Sequence, residues 1–314
     1  MGHGAFPRRS ASLVCGPAME ILARIAGMLI YRPYVFVFFS IYLVAAVTRL
    51  GWRRTALFTL IAYVVAFAAE LSSTRNGFPF GLYHYIDSTR GRELWISNVP
   101  FWDSLSFTFL CYLGWRLGVL VYAPLVVGRR DFQVAETSAI ATSWRVCLTG
   151  ALLMTLLDVV IDPLSLRGER WFLGTIYYYP HGGIYFGVPL SNFAGWFLVG
   201  TTTIALYQAF EGRTFWRAGG LGVRHLPYGG LLEPLLYVGI LVFNLALTFA
   251  IGEPLLGTIG VLLYLPVVVL VLAHPLNPQR HARAADIAAH LLDYPQSPLT
   301  AVVAPAVPRM GVPA

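Results

Sequence analysis

Seven apolar runs, each close to the length that crosses a bilayer, constrain this chain more than any other feature. A transmembrane helix needs about 20 mostly apolar residues, and the runs fall at residues 35–51, 55–71, 101–127, 142–161, 188–210, 231–251 and 255–273. Only 12% of the chain is charged, against roughly a quarter in soluble domains. The expected fold is therefore all-α, a polytopic integral membrane bundle of about seven transmembrane helices. A shorter stretch at residues 19–30 carries Glu20 and Arg24 and reads as an N-terminal interfacial helix. The chain thus divides into a tail and interfacial helix (1–33), a transmembrane catalytic domain (34–273) and a C-terminal tail (274–314). That tail is rich in Pro, Arg and Ala and is expected to be largely disordered, with one short helix near 284–292. Met19 is an alternative start to Met1.

The net charge of +7 would suggest nucleic acid in a soluble protein. Here the arginines sit in short loops between apolar runs, which points to membrane orientation and away from nucleic acid. Arg49, Arg53, Arg54, Arg129 and Arg130 load the first and third loops; Arg213, Arg217 and Arg224 load the fifth. The bias places the C-terminus in the cytoplasm. All 22 basic residues are arginine, so Schiff-base and lysine-nucleophile chemistry is excluded. Cys15, Cys111 and Cys147 are too scattered for a disulfide framework or a zinc site.

One consequence of seven spans holds for either orientation. The ends of the second and fourth spans and the starts of the third and fifth lie on one face. Those places hold Glu70, Asp158 with Asp162, Asp103 and Asn192. Ionisable groups at membrane depth are costly and suggest function. Asp158 and Asp162 are four residues apart, so they stack on one helical side, with Asp158 about 6 Å deeper and Pro163 stopping the helix. A helix C-terminus and a neighbouring carboxylate both disfavour a second negative charge, and a carboxyl that keeps its proton is what general acid catalysis requires. Plainer readings compete. Asp162 can pair with Arg167 or Arg170 in a helix-ending turn, Asp158 can make a buried polar contact, Glu70 can neutralise Arg75, and Asp103 can be an ordinary first-turn carboxylate. Glu233 and Glu253 read as structural. Arg116, inside the third span, needs a partner, and Glu233 is the nearest in depth.

The loops on this face are aromatic. Phe80, Tyr83 and Tyr85 follow the second span; Tyr185 and Phe186 precede the fifth; Trp102 and Trp196 flank them. They form either an interfacial belt or the lining of a pocket whose rings steady a cation. His84 and His181 are lone histidines, with His181 a candidate substrate contact. No HxxxH box, flavin fingerprint or pair of aspartate-rich motifs is present. An acid site in an aromatic pocket without metal or redox cofactor suits proton-initiated alkene chemistry.

The order Glu70, residues 76–85 (NGFPFGLYHY), Val99-Pro100, Asp158, Asp162-Pro163, Trp171 and residues 185–196 (YFGVPLSNFAGW) resembles the membrane-bound carotenoid 1,2-hydratases. The similarity runs from about Glu70 to Trp196. It implies addition of water to the terminal C1=C2 bond of an acyclic carotenoid ψ end group, giving a tertiary alcohol, with no cofactor. It further implies a hydrophobic carotenoid substrate drawn from the bilayer, a multi-pass place in the cell membrane of a bacterium or archaeon, and other carotenoid-pathway enzymes as partners. The residues themselves suggest Asp158 as acid and Asp162 or Glu70 as its partner, with Asp103 in reserve and Asn192 orienting water or a carboxyl. A cyclase or isomerase would use the same cation without water, and a non-enzymatic carotenoid carrier is the third reading.

Overall fold

The computed structural model describes residues 17–128, 131–211, 226–273, 276–295, 297 and 299. Every apolar run forms a helix, as lipid demands of a backbone that must satisfy its own hydrogen bonds, although the third, expected to reach residue 127, ends at Tyr122 and passes into a strand at Leu125. In chain order the helices are α1 (Pro17–Tyr31), α2 (Pro33–Leu50), α3 (Trp52–Asn76), α4 (Phe101–Tyr122), α5 (Ser138–Ala141), α6 (Trp144–Ser165), α7 (Leu190–Glu211), α8 (Leu232–Ala250), α9 (Pro254–Ala273) and α10 (Ala284–Asp293). Six of the seven long helices after α1 are apolar enough to cross a membrane. The other, α7, has 22 residues; it is more polar because Asn192, Thr203 and Gln208 turn inward and are buried. Cys15, Met1, the loop arginines Arg129, Arg130, Arg213, Arg217 and Arg224, and residues 300–314 lie outside the described residues.

α4 is the central post: 89% of its apolar window is buried, against 22% for the peripheral α9. It approaches α6 closely because glycines face each other across the contact. A Cβ on Gly114 would stand 2.4 Å from the Gly150 carbonyl oxygen, and one on Gly118 would stand 2.8 Å from that of Val146. The Gly114–Gly118 spacing is the small-residue pattern by which membrane helices pack backbone to backbone.

α6 starts at Ser143, whose side chain accepts a hydrogen bond from Val146 N, the usual work of an N-cap serine. Its end corrects the expectation for Pro163. The helix continues through the proline to Ser165, and Leu166 N donates to Asp162 O at 3.0 Å. A proline two residues before the end removes a hydrogen bond yet leaves the last turn closed from its other side.

Two long loops close the face where α3 and α6 end. Strand β1 (His84–Tyr85) of the first pairs antiparallel with β6 (Tyr177–Tyr178) of the second, His84 opposite Tyr178 and Tyr85 opposite Tyr177. Within the first loop β2 (Trp95–Ile96) pairs with β3 (Val99–Pro100). Gly195 of α7 seats this crown: a Cβ there would meet the Phe80 ring at 2.6 Å and the Pro79 backbone at 2.9 Å.

The opposite end carries the hairpin β4 (Leu125–Gly128) and β5 (Asp131–Val134) and a buried ionic network. Arg116 donates to both oxygens of Glu136 at 2.6 and 3.2 Å, with Glu233 at 3.7 Å and Arg49 also 3.5 Å from Glu136. Glu233 is therefore the second partner of Arg116; the first, Glu136, follows the hairpin and reaches the arginine only through tertiary folding. Burial pushes the Glu136 carboxyl up, but Arg116 and Arg49 outweigh it and hold it at about 2. α10 docks here. Its His290 ring contacts Glu136 O through Nδ1 at 2.5 Å and Ser297 Oγ through Nε2 at 2.6 Å, and Asp293 accepts from Ser138 N at 2.7 Å.

Candidate active site

Beneath the loop crown lies a cavity of about 890 Å³, counted to its open mouth. Two carboxyl pairs line or back it, each built where one helix ends and another begins.

The first pair joins α3 to α4. Glu70 is buried, and its Oε2 accepts a short hydrogen bond from the Ser104 hydroxyl. Tyr85 OH reaches Glu70 Oε1 at 3.1 Å and Asp103 Oδ2 at 2.5 Å. Arg75 does not neutralise Glu70; it reaches Ser97 instead. One phenol proton cannot serve two carboxylates at once, so this triad is complete when a carboxyl contributes a second proton.

The second pair joins α6 to α7. Asn192 Nδ2 donates to Asp158 Oδ2 at 2.6 Å and to Asp162 Oδ2 at 2.7 Å, so one amide spans both carboxyls. Asp162 also accepts from Tyr177 OH at 2.8 Å and Tyr179 OH at 3.2 Å. Burial, then the Asp162 carboxylate, pushes both phenols up, so they remain donors. Neither Arg167 nor Arg170 pairs with Asp162. Both bind Glu253, which is structural as expected, and whose carboxyl is held below the usual range chiefly by the Arg167 hydrogen bond.

The two aspartates of α6 are not equivalent. Asp162 lines the cavity; Asp158 does not, being fully buried behind it. The side chain that reaches Asp158 from the cavity wall is Asn192. Asp158, expected as the acid, thus stands one side chain behind the cavity wall. The carboxyls that line the cavity are Asp162, Asp103 and Glu70.

Tyr83 stands between the pairs. Its ring meets Tyr85 at 5.3 Å, Tyr177 at 5.7 Å and Tyr179 at 5.8 Å, and its hydroxyl lies 3.4 Å from that of Tyr85. The deeper wall is apolar. Phe107 stacks on Trp196 at 4.2 Å, and Phe80 tilts against both.

Of the aromatic candidates, Phe80, Tyr83, Tyr85, Trp102 and Trp196 line the cavity, and His181, Tyr185 and Phe186 do not. His181 is exposed. Tyr185 packs on Phe186 and Phe193, and the Phe186 ring lies against Arg167. Trp102, which lines the cavity, already has a cation on its ring. The Arg32 guanidinium sits 4.5 Å over its ring, so that ring already balances a cation and is a poor choice to steady another. Arg32 itself is a tether, bound to Glu93 at 2.8 Å and to Leu173 O at 2.7 Å.

Sequence reasoning missed Arg32, Ser104, Tyr177 and Tyr179. A signal for the tyrosines was present: in the run 177–179 strand alternation puts the outer two on one side, and the middle one, Tyr178, is exposed.

The family described as "Carotenoid biosynthesis protein" matches residues 31–267, which takes in all seven long helices except the last turns of α9. A bisanhydrobacterioruberin hydratase from Haloarcula japonica is 31% identical over 201 residues, covering 61% of this chain and 60% of that relative. No solved structure matches the chain.

Proposed function

Because the chain belongs to the carotenoid biosynthesis protein family, we propose that it is a membrane-embedded hydratase adding water to the terminal C1=C2 bond of an acyclic carotenoid ψ end group. The observation that carries this reading is a single cavity with carboxyls at its crowned end and stacked aromatic rings along the rest. An isoprenoid end group fits the apolar part, and its alkene then meets the acids.

The reaction balances with water alone. Asp162 gives its proton to C2, and the π electrons of C1=C2 form that C–H bond, leaving a tertiary cation at C1. Trp196 and Phe107 present ring faces that steady the charge. A water attacks C1 and loses a proton to the Glu70–Asp103 pair, so the product gains one H and one OH, and the pair's proton returns to Asp162 before the next turnover. Asp158, in contact with Asp162 through the shared Asn192 donor, lets the two carboxyls hold one proton between them when the cavity is empty of substrate. Tyr177 and Tyr179 receive the negative charge left on Asp162.

The test is expression in a bacterium that makes lycopene, followed by mass analysis of the pigments. The proposal expects products heavier by one or two waters, absent with Asp162→Asn at matched protein level. A product isomeric with lycopene would instead indicate a cyclase or isomerase.

A further inference from the structure

The cavity has one thick wall and one thin one. Toward the bundle centre, Phe80, Trp102, Phe107 and Trp196 are buried, with the bodies of α3, α4 and α7 around them. On the other side the wall is α2 and α8, represented by Tyr34, Phe38 and Phe243. These three are half-buried and line the cavity. Their neighbours Val37 and Val242 are 54% and 58% exposed, so this surface faces lipid in a membrane-spanning bundle. The barrier is made of rings, those of α2 and α8 packed on one another and on Trp171 and Phe172 of the second loop. Tyr34 stacks on Phe243 at 5.9 Å, and Phe38 meets Phe243 edge-on at 5.6 Å.

The crown, by contrast, is fastened. The β1–β6 pairing joins its two loops, and buried Arg32 ties the start of α2 to Glu93 and Leu173. Even counted out to its open mouth, a space of about 890 Å³ is only about 10 Å across. A conjugated polyene is a stiff rod several times longer. With one end in this cavity the remainder must leave through the mouth or through a wall, and the ring layer is a wall that side-chain rotation can open.

We propose that Tyr34, Phe38 and Phe243 form a lateral portal between α2 and α8, through which an acyclic polyene enters end-first from the bilayer. The choice of ligand rests on the hydratase reading above. The end group reaches Asp162 while the rest of the chain lies between the two helices in lipid. A substrate with two reactive ends is then processed one end at a time, leaving and returning reversed.

The test reads uptake, not turnover. Phe243→Cys, Phe38→Cys and, as control, Val242→Cys are made in a Cys15→Ser background; Cys111 and Cys147 are buried. Each protein is alkylated with benzyl maleimide, incubated with phospholipid vesicles containing lycopene, repurified, and its retained lycopene measured by absorbance. Alkylation at 243 or 38 is expected to lower retention about tenfold relative to the same protein unalkylated, a change of one decade in affinity, and alkylation at 242 to leave it unchanged. Undiminished retention with both portal positions alkylated, or an equal loss at 242, overturns the portal. If Phe243→Cys fails to assemble, Phe38→Cys decides. Hydration of the retained pigment is scored separately by mass: lycopene that is bound but never hydrated removes the hydratase reading and leaves the portal standing.

Discussion

A proton passes to a carbon atom only from a group that can touch it. Asp162 faces the cavity and Asp158 stands behind it, so asparagine at these positions separates their roles. Asp162→Asn is expected to slow hydration by about 100-fold or more, the scale of a lost general acid. Asp158→Asn keeps a partner for Asn192 and is expected to slow it by about tenfold, as a neighbour that tunes the acid. Pigment conversion at matched protein levels measures both, and the reverse order would return the acid role to Asp158. The rings divide in the same way. Trp196→Leu removes a face from the cavity and is expected to cost on the order of 0.5–2 kcal/mol of cation stabilisation, about 2- to 30-fold in rate. Phe186→Leu, outside the cavity, is expected to leave the rate unchanged. A slowed Phe186→Leu enzyme with an unaffected Trp196→Leu one would show that the cavity has been assigned to the wrong rings.

Between elements, backbone approach and docking decide what the fold tolerates. A Cβ on Gly150 would stand 2.9 Å from Trp115 Cα and 3.0 Å from the Gly114 carbonyl oxygen. Gly150→Val should therefore push α4 from α6 and lower stability by about 1–3 kcal/mol, the usual cost of overpacking, seen as earlier thermal unfolding in detergent. α10 responds to pH. Burial holds the His290 ring below its ordinary value against the opposing pull of the Glu136 backbone and carboxylate and of Asp293, with Arg49 acting in the same direction as burial. A depressed folded value means that the docked state binds fewer protons than the released one. Its stability is therefore complete above the unfolded value of about 6.5 and declines as pH falls below it. Amide protection in residues 284–293, taken relative to the intrinsic exchange rate at each pH, should fall between pH 8 and pH 5.5 in the native protein and lose that dependence in His290→Gln. Unchanged protection across this range in the native protein would mean that α10 is held by other contacts.

Over the whole molecule, the parts legible in the sequence are those that repeat with a period. Seven apolar runs became seven long helices, and alternating direction alone placed Glu70, Asp103, Asp158, Asp162 and Asn192 on one face. What the sequence concealed depends on tertiary approach. No periodicity shows that Asn192 would stand across both aspartates, that Glu136 would return from a hairpin to Arg116, or that Arg32 would cover Trp102. Pro163 misled because a proline signals a helix end only to within a turn. The central claim is that water, activated by acid and by no oxidant, supplies the new oxygen. It is tested most directly by incubating the protein in vesicles with lycopene in ¹⁸O-labelled D₂O and analysing the product by mass spectrometry and NMR. The account predicts ¹⁸O in the tertiary hydroxyl and one deuterium on the adjacent carbon for each hydrated end. A hydroxyl carrying unlabelled oxygen, or labelled hydroxyl without deuterium at that carbon, would contradict it.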